Sequence, residues 1–292
     1  MPQPTLRRLY KKHRGKVSDR WTSYLREFDR LLSDYREKPV RVLEIGVQNG
    51  GSLELWLAFF SNARRIVGCD VNPDCAALEF DDDRIAVVVG DATREEVRRE
   101  VLKHAPFDII IDDGSHRSGD IIKTFSEYFP FLQDEGIFIA EDLHCSYWQE
   151  FDGGLFDPLS SMAFFKRLVD VTNRQHWGVP KRASDYLRAF FDAYECEISD
   201  DELDHIHSVE FLNSICVVRK ERPERNAVGT RFVAGSVALV VPGHWEIQGA
   251  GSYNLDQSRN KFANDDTRSE KIRKFLKKPV TTLWRRAAAW RR

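Results

Sequence analysis

The apolar run Phe107-Asp108-Ile109-Ile110-Ile111 ends abruptly in Asp112-Asp113-Gly114-Ser115-His116, that is, in two carboxylates, a turn and an imidazole. Further on, Gly136-Ile137-Phe138-Ile139-Ala140 ends in Glu141-Asp142. In an open parallel sheet the carboxyl ends of the strands line the ligand crevice, so these acids and His116 are expected to converge on one mouth. Asp113, Glu141 and Asp142 offer the oxygen ligands that a hard divalent cation takes. With no Cys or second His in the constellation, Mg2+ suits it better than zinc. The competing role for these carboxylates is to cap helices or to pair with Arg117 or Lys123. Asp112 by itself suits support of the neighbouring turn. His116 follows Asp113 by three residues and can take a proton near neutral pH. His144, two residues beyond Asp142, is a second candidate.

A second constellation lies upstream. Glu44-Ile45-Gly46-Val47-Gln48-Asn49-Gly50-Gly51-Ser52 follows the first apolar run and opens a helical pattern. Glycines there let backbone approach a ligand, and helix-terminal amides favour polar or anionic groups. The dinucleotide spacing Gly-x-Gly-x-x-Gly is absent. Asp70 ends the next strand 24 residues after Gly46, where a carboxylate accepts hydrogen bonds from both hydroxyls of a ribose. Asp91 ends the third strand and can accept from an adenine amino group. The bland roles are turn chemistry beside Asn72 and Pro73 for Asp70. For Asp91 it is capping of a helix that the box Thr93-Arg94-Glu95-Glu96 announces. Gly46, Asp70 and Asp91 at successive strand ends together describe a nucleoside pocket. Tyr147 and Trp148, past the second acidic strand end, can wall a sugar or fill the core.

The elements that must hold these residues follow from hydrophobic periodicity. Tyr24, Phe28, Leu31, Leu32 and Tyr35 form a helical stripe. Five apolar runs then alternate with helical patterns: Val40 to Ile45, Arg65 to Val71, Ile85 to Val89, Phe107 to Ile111 and Ile137 to Ala140. The fold class is α/β, with a doubly wound, mostly parallel sheet. Helices are expected over Leu159 to His176 and Arg182 to Tyr194. Ser208 to Phe211 and Ser214 to Val218, flanking Leu212-Asn213, read as an antiparallel hairpin closing the sheet. The expected organisation is a helical segment at 1–38 on the substrate side, a main domain at 39–221, an extension or linker at 222–267 and a tail at 268–292. Arg231 to Val241 has strand-like content inside the extension.

The 292 residues carry a formal net charge of -2, with 42% hydrophobic and 31% charged residues, ordinary for a folded protein. Residues 268–292 hold ten Lys or Arg and one Glu, which leaves -11 on the rest. Leu276, Val280, Leu283, Trp284, Ala287 and Trp290 share a helical face there, and Pro279 can start or kink the helix. That tail is expected to dock on an anionic membrane surface or a partner enzyme, with a solvated end helix as the plain alternative. Cys69, Cys75, Cys145, Cys196 and Cys216 are odd in number and lack Cys-x-x-Cys spacing, which speaks against a disulfide framework or zinc site. The expected setting is the cytoplasm, at its furthest the inner face of the membrane. Arg7, Arg8, Lys11, Lys12 and Arg14 lead into no apolar stretch and no window approaches membrane-spanning length, so neither export nor membrane spanning is expected.

Val42-Leu43-Glu44-Ile45-Gly46, Ile111-Asp112-Asp113-Gly114-Ser115-His116 and Glu141-Asp142-Leu143-His144-Cys145-Ser146-Tyr147-Trp148 resemble the metal-dependent class I S-adenosylmethionine O-methyltransferases. The members in question act on deoxysugars of macrolide-type antibiotics, with glycan-modifying bacterial relatives. The likeness runs from about Tyr10 to Lys220. It implies a class I methyltransferase fold of the Rossmann-like type and transfer of a methyl group from S-adenosylmethionine to a sugar hydroxyl. It implies Asp113, Glu141 and Asp142 as Mg2+ ligands and His116 as general base. Gly46 would lie by the methionine part of the cofactor, Asp70 by its ribose and Asp91 by its adenine, with Glu44, Gly50, Ser52 and Asp112 on the same cofactor side. His144, Tyr147 and Trp148 would face the substrate. Gln48 departs from the pattern, standing where many such enzymes carry the middle glycine of Glu-x-Gly-x-Gly-x-Gly. The expected partner is a sugar or glycan acceptor, not a nucleic acid, and a homo-oligomer is compatible with the chain. Two rival readings are a catechol-type, phenolic O-methyltransferase and a non-catalytic nucleoside-binding scaffold.

Overall fold

The computed structural model describes residues 3–263, so the tail expected to dock at 268–292 lies outside the described residues. Five parallel strands, β1 (Arg41–Ile45), β2 (Arg65–Asp70), β3 (Ile85–Val89), β4 (Phe107–Asp112) and β5 (Leu132–Ala140), carry the sheet. The hairpin β6 (Ile206–Leu212) and β7 (Ile215–Lys220) completes it, with β7 antiparallel to β5. The strand order is β3-β2-β1-β4-β5-β7-β6. The chain therefore builds outward from β1 to β3, then returns to place β4 on the other side of β1. Ligands bind at such a reversal, beyond the carboxyl ends of the strands. Pairing of Ile45 with Asp112 and of Asp112 with Ala140 brings the ends of β1, β4 and β5 to one level.

Strands buried on both faces read as unbroken apolar runs, and β4 shows why. Ile109 and Ile111 pack on one side with α1 (Leu6–Lys12), α2 (Thr22–Leu31) and α3 (Gly51–Phe59). Ile110 packs on the other with α4 (Glu95–Leu102), α5 (Ser118–Tyr128), α6 (Ser161–Thr172) and α7 (Ala183–Tyr194). The Tyr24, Phe28, Leu31, Leu32 and Tyr35 stripe is buried throughout. Opposite, Phe125 lies edge-on to Phe138, Phe164 and Phe165, and stacks on Phe129.

Four local expectations differ from the structure. The α6 helix begins later than Leu159 because the Ser160 hydroxyl caps it, accepting from the Ala163 amide; it stops at Thr172 and passes into a 3-10 turn at Arg174–His176. The hairpin turns on Asn213 and Ser214 rather than Leu212-Asn213, since Leu212 still pairs with Ile215 and Ser214 takes the left-handed conformation (φ 70°). The Thr93 capping box does not form. Instead α4 starts at Glu95 with no side-chain cap, and Thr93 turns back to Asp91. Arg231 to Val241 makes no strand, having a single bridge, Thr230 to Gly251, beside it and its apolar side chains largely exposed.

Candidate active site

The β1–α3 turn makes a cradle by bringing its backbone close to the end of β4. Gly46 has φ 94°, and a Cβ there would lie 2.1 Å from the Asp113 carbonyl oxygen. Only glycine lets the ends of β1 and β4 touch in this way. Gln48 holds the left-handed conformation, φ 52°, at the position where glycine was expected, so the loop keeps its shape with a side chain in it. Asp70 fixes that loop from β2. Its Oδ2 accepts from the Val47 and Gln48 amides at 2.7 and 2.8 Å, and Oδ1 accepts from the Asn72 amide at 2.8 Å. Asp91 Oδ1 accepts from the Thr93 amide and hydroxyl at 2.9 and 2.8 Å. Both acids thus organise turns and also line the same cavity.

That cavity, about 770 Å³, runs from Asp91 and Asp70 past Gly46 and Ser52 to Asp112, Asp113, His116, Glu141 and Asp142. It has the size of a site for a small ligand and its co-reactant. Glu44 and Gly50 stand behind the wall. Glu44 is fully buried and accepts from the Ser52 hydroxyl at 2.5 Å, the Trp56 indole at 3.0 Å and Arg20 Nη2 at 2.7 Å. Gly50 caps α3 in the left-handed conformation. Asp112 accepts from the Gly114 amide at 3.3 Å through Oδ1, the turn-supporting role, while its buried Oδ2 has no protein partner. Burial pushes this carboxyl up to about 7.

The acidic end is divided into two layers. Nearest the mouth, Asp113, His116 and Asp142 each present a ligand atom, all within 4.8 Å of one another. His116 Nε2 lies 3.8 Å from Asp142 Oδ2. Both His116 and Asp142 sit in the left-handed region, φ 58° and 52°, a backbone cost that recurs where a chain aims side chains at a ligand. Burial pushes the imidazole below its ordinary value, and the Asp142 charge only partly reverses this. His116 is therefore neutral at neutral pH, with a nitrogen able to accept a proton.

Beneath this layer lies Glu141, 1% exposed, both of whose oxygens are taken by Arg20. The Asp113 carboxyl is raised by burial and by the charge of Glu141. Asp142 differs: its Oδ1 accepts from Tyr24 Oη at 2.7 Å and Trp21 Nε1 at 3.1 Å, and Oδ2 faces His116. His144 borders the cluster on its other side, with Nδ1 3.8 Å from Asp142 Oδ1. Its Nδ1 pairs with the Ser214 hydroxyl at 2.5 Å, and its ring packs edge-on between Trp21 and Trp148. Tyr147 and Trp148 are 41% and 49% exposed, so they stand at the rim rather than in the core. Arg20, Trp21, Tyr24 and Ser214 had not been picked from sequence. Their one signal is that Arg20 and Trp21 lead directly into an amphipathic helix, which does not reveal a partner 121 residues away.

The donors fit two groups. Hard oxygens from Asp113 and Asp142 beside a neutral imidazole suit a divalent cation. The glycine cradle, and the orphaned Asp112 Oδ2, suit a cationic nucleoside-bearing molecule in the rest of the cavity.

Comparison with known proteins agrees with this geometry. Residues 43–143 match the family model described as a methyltransferase domain. Mycinamicin VI 2''-O-methyltransferase of Micromonospora griseorubida is 35% identical over 55% of this chain and 42% of its own length. Demethylmacrocin O-methyltransferase of Streptomyces fradiae is 36% identical over 56% of this chain and 44% of its own. The chain thus matches less than half the length of these curated relatives. Among solved structures, the MycE methyltransferase from the mycinamycin pathway, in complex with Mg, SAH and mycinamycin VI, is 26% identical with a TM-score of 0.62. The match covers 84% of this chain and 58% of that one. The fold is that of a class I methyltransferase, as the sequence implied.

Proposed function

We propose that this protein transfers the methyl group of S-adenosylmethionine to a hydroxyl of a sugar carried on a glycan or glycoside, with Mg2+ as a second cofactor. The observation that carries the reading is one cavity joining the Gly46, Asp70 and Asp91 cradle to the cluster of Asp113, His116 and Asp142. The names of the similar proteins support it: each relative cited is an O-methyltransferase, and the MycE complex holds Mg, SAH and mycinamycin VI.

Asp70 and Asp91 would face the ribose and adenine, and Gly46 the methionine part. S-adenosylmethionine would supply an electrophilic methyl carbon on a sulfonium, and Asp112 Oδ2, without a hydrogen-bond partner in the protein, would offer a polar contact on the same cavity wall. Asp113 and Asp142 would hold Mg2+, which supplies Lewis acidity toward a hydroxyl whose own pKa lies far above 7. His116 Nε2 would accept the hydroxyl proton, and Asp142 Oδ2 at 3.8 Å would favour the imidazolium so formed. Trp148 and Tyr147 would wall the acceptor. Fixing the reactants together is worth roughly 7 kcal/mol or more, which is what a closed, ordered mouth contributes.

The reading places the work in the cytoplasm, consistent with five free cysteines and with no helix among the described residues long and apolar enough to cross a membrane. The test is methyl transfer from labelled S-adenosylmethionine to deoxyhexosyl glycosides and, in parallel, to catechols. Sugar methylation that stops with EDTA and returns with Mg2+ is the expected result. Transfer to catechols alone, or no transfer with intact cofactor binding, would overturn it in favour of the phenolic or scaffold reading.

A further inference from the structure

We propose that the loop closed between Thr230 and Gly251 docks this protein on an anionic lipid surface, its apolar tip entering the lipid while the basic residues at 268–292 hold the headgroups. None of the loop's residues lines the cavity described above, so the inference goes beyond the reaction proposed there.

The loop has a built base. Thr230 and Gly251 form a bridge, the Arg231 amide donates to the Ala250 carbonyl and the Gly249 amide to the Arg231 carbonyl, both at 2.9 Å, and the Val233 amide donates to Gln248 Oε1 at 2.6 Å. On either side the chain is tied to the segment after α6, through the Val228 amide on Gln175 Oε1 at 3.4 Å and the Gln257 amide on the Gly178 carbonyl at 2.9 Å. These bonds fix where the loop leaves the body. Its far end is not packed. From Phe232 to Gly243 no residue carries a charge, in a chain that is 31% charged. Phe232, Leu239 and Val240 are 89, 88 and 92% exposed, and Val237 and Val241 are exposed as well. Apolar side chains held out in water contribute no burial to the fold, and a patch of them marks a surface that meets a partner or a membrane.

Charge selects the lipid. Residues 268–292 hold ten Lys or Arg and one Glu, and bring Phe275, Leu276, Leu283, Trp284 and Trp290 with them. A chain spans about 3.3 Å per residue when extended, so its length lets these residues meet the surface that the tip meets. Anionic lipid offers an apolar layer beneath a negative one, and stable attachment takes two signals, here one apolar and one polybasic. The remainder of the chain, at -11, is repelled by the same surface. The charges therefore leave the loop and the basic end as the contact side.

Co-sedimentation of the full chain with vesicles tests this. Binding is expected on phosphatidylcholine mixed with phosphatidylglycerol, weaker by roughly tenfold or more on phosphatidylcholine alone, and falling as salt is added. Leu239→Ser/Val240→Ser should lose roughly tenfold in affinity for the anionic vesicles, with its melting temperature unchanged because both side chains already stand in water. Lys277→Glu/Lys278→Glu should lose a similar factor. Amide exchange over residues 234–243 should slow when anionic vesicles are added. A full chain that ignores these vesicles, or a Leu239→Ser/Val240→Ser variant that binds them as wild type does, would overturn the proposal. So would a dimer in lipid-free solution that the same variant dissolves, which assigns the tip to a second copy of the chain.

Discussion

Tyr24 donates its phenolic hydrogen to Oδ1 of Asp142 across 2.7 Å, and so ties α2 to the residue just past β5. The Asp142 amide in turn points at the same phenol oxygen at 3.3 Å. One oxygen of the carboxylate is thereby committed to α2, and the other is left toward His116. Partners of this kind fix the ligand's orientation, and their loss typically costs ten- to a hundred-fold in metal affinity or activity. Tyr24→Phe keeps the buried ring and removes the donor. The Mg2+ concentration giving half-maximal activity is expected to rise by about tenfold, with the melting temperature nearly unchanged. Trp21, the second donor to Oδ1, keeps the effect from being larger.

His116→Ala removes the one neutral nitrogen that faces Asp142 Oδ2. A positioned general base contributes roughly 100-fold or more, so turnover should fall by at least that factor. Cofactor affinity, measured by calorimetry with S-adenosylhomocysteine, should stay within about threefold, because the cradle at Gly46 and Asp70 does not depend on the imidazole. Unchanged turnover would remove His116 from the reaction.

Much of this site was legible before any coordinates. Strand ends announce themselves when an unbroken apolar run stops at charge, as Ile109-Ile110-Ile111 stops at Asp112, and the parallel topology then forces such ends together. The parallel pairing of the first five strands follows from the same alternation, whereas their order is seen only in the structure. What stayed hidden depends on distance along the chain. Arg20 meets Glu141 across 121 residues and Tyr24 meets Asp142 across 118, and no period or spacing carries such a pairing. Asp91 shows a different limit: one side chain both holds a turn and lines a cavity, so the two roles are not alternatives. The Thr93 box failed because the Thr93 amide and hydroxyl both turn back to Asp91 Oδ1, and α4 starts at Glu95 without a side-chain cap.

Glu54 carries a pH dependence that can be worked out in sign. Burial raises this carboxyl, but the Lys16 ammonium and amide outweigh it and hold the group below its ordinary value. A folded value below the unfolded one means stability present above the ordinary carboxylate range and lost as the pH falls through the folded value. Glu54→Gln should therefore be less stable than wild type near pH 7, by about 1 kcal/mol for this partly exposed pair. The two proteins should converge in urea titrations as the medium is acidified. Amide exchange over residues 16–20 should quicken in the variant at neutral pH, since the strap that delivers Arg20 has lost its tie.

Gly46→Ala tests the contact between β1 and β4 against a built-in reference. Gly46 and Gly50 have similar backbone angles, φ 94° and 83°, so a methyl group imposes similar strain at both, of order 1–3 kcal/mol. Their surroundings differ. At Gly50 the nearest atoms are side-chain ends, Phe80 Cζ at 3.0 Å and Leu78 Cδ1 at 3.2 Å, which can give way. At Gly46 the neighbour is the Asp113 carbonyl oxygen at 2.1 Å, which cannot move without carrying its own carboxylate along. Gly46→Ala should thus be the less stable of the two by chemical denaturation, and it alone should weaken S-adenosylhomocysteine and Mn2+ binding together. If both variants lose equal stability and Gly46→Ala still binds Mn2+ as wild type does, the backbone contact does not set the position of Asp113.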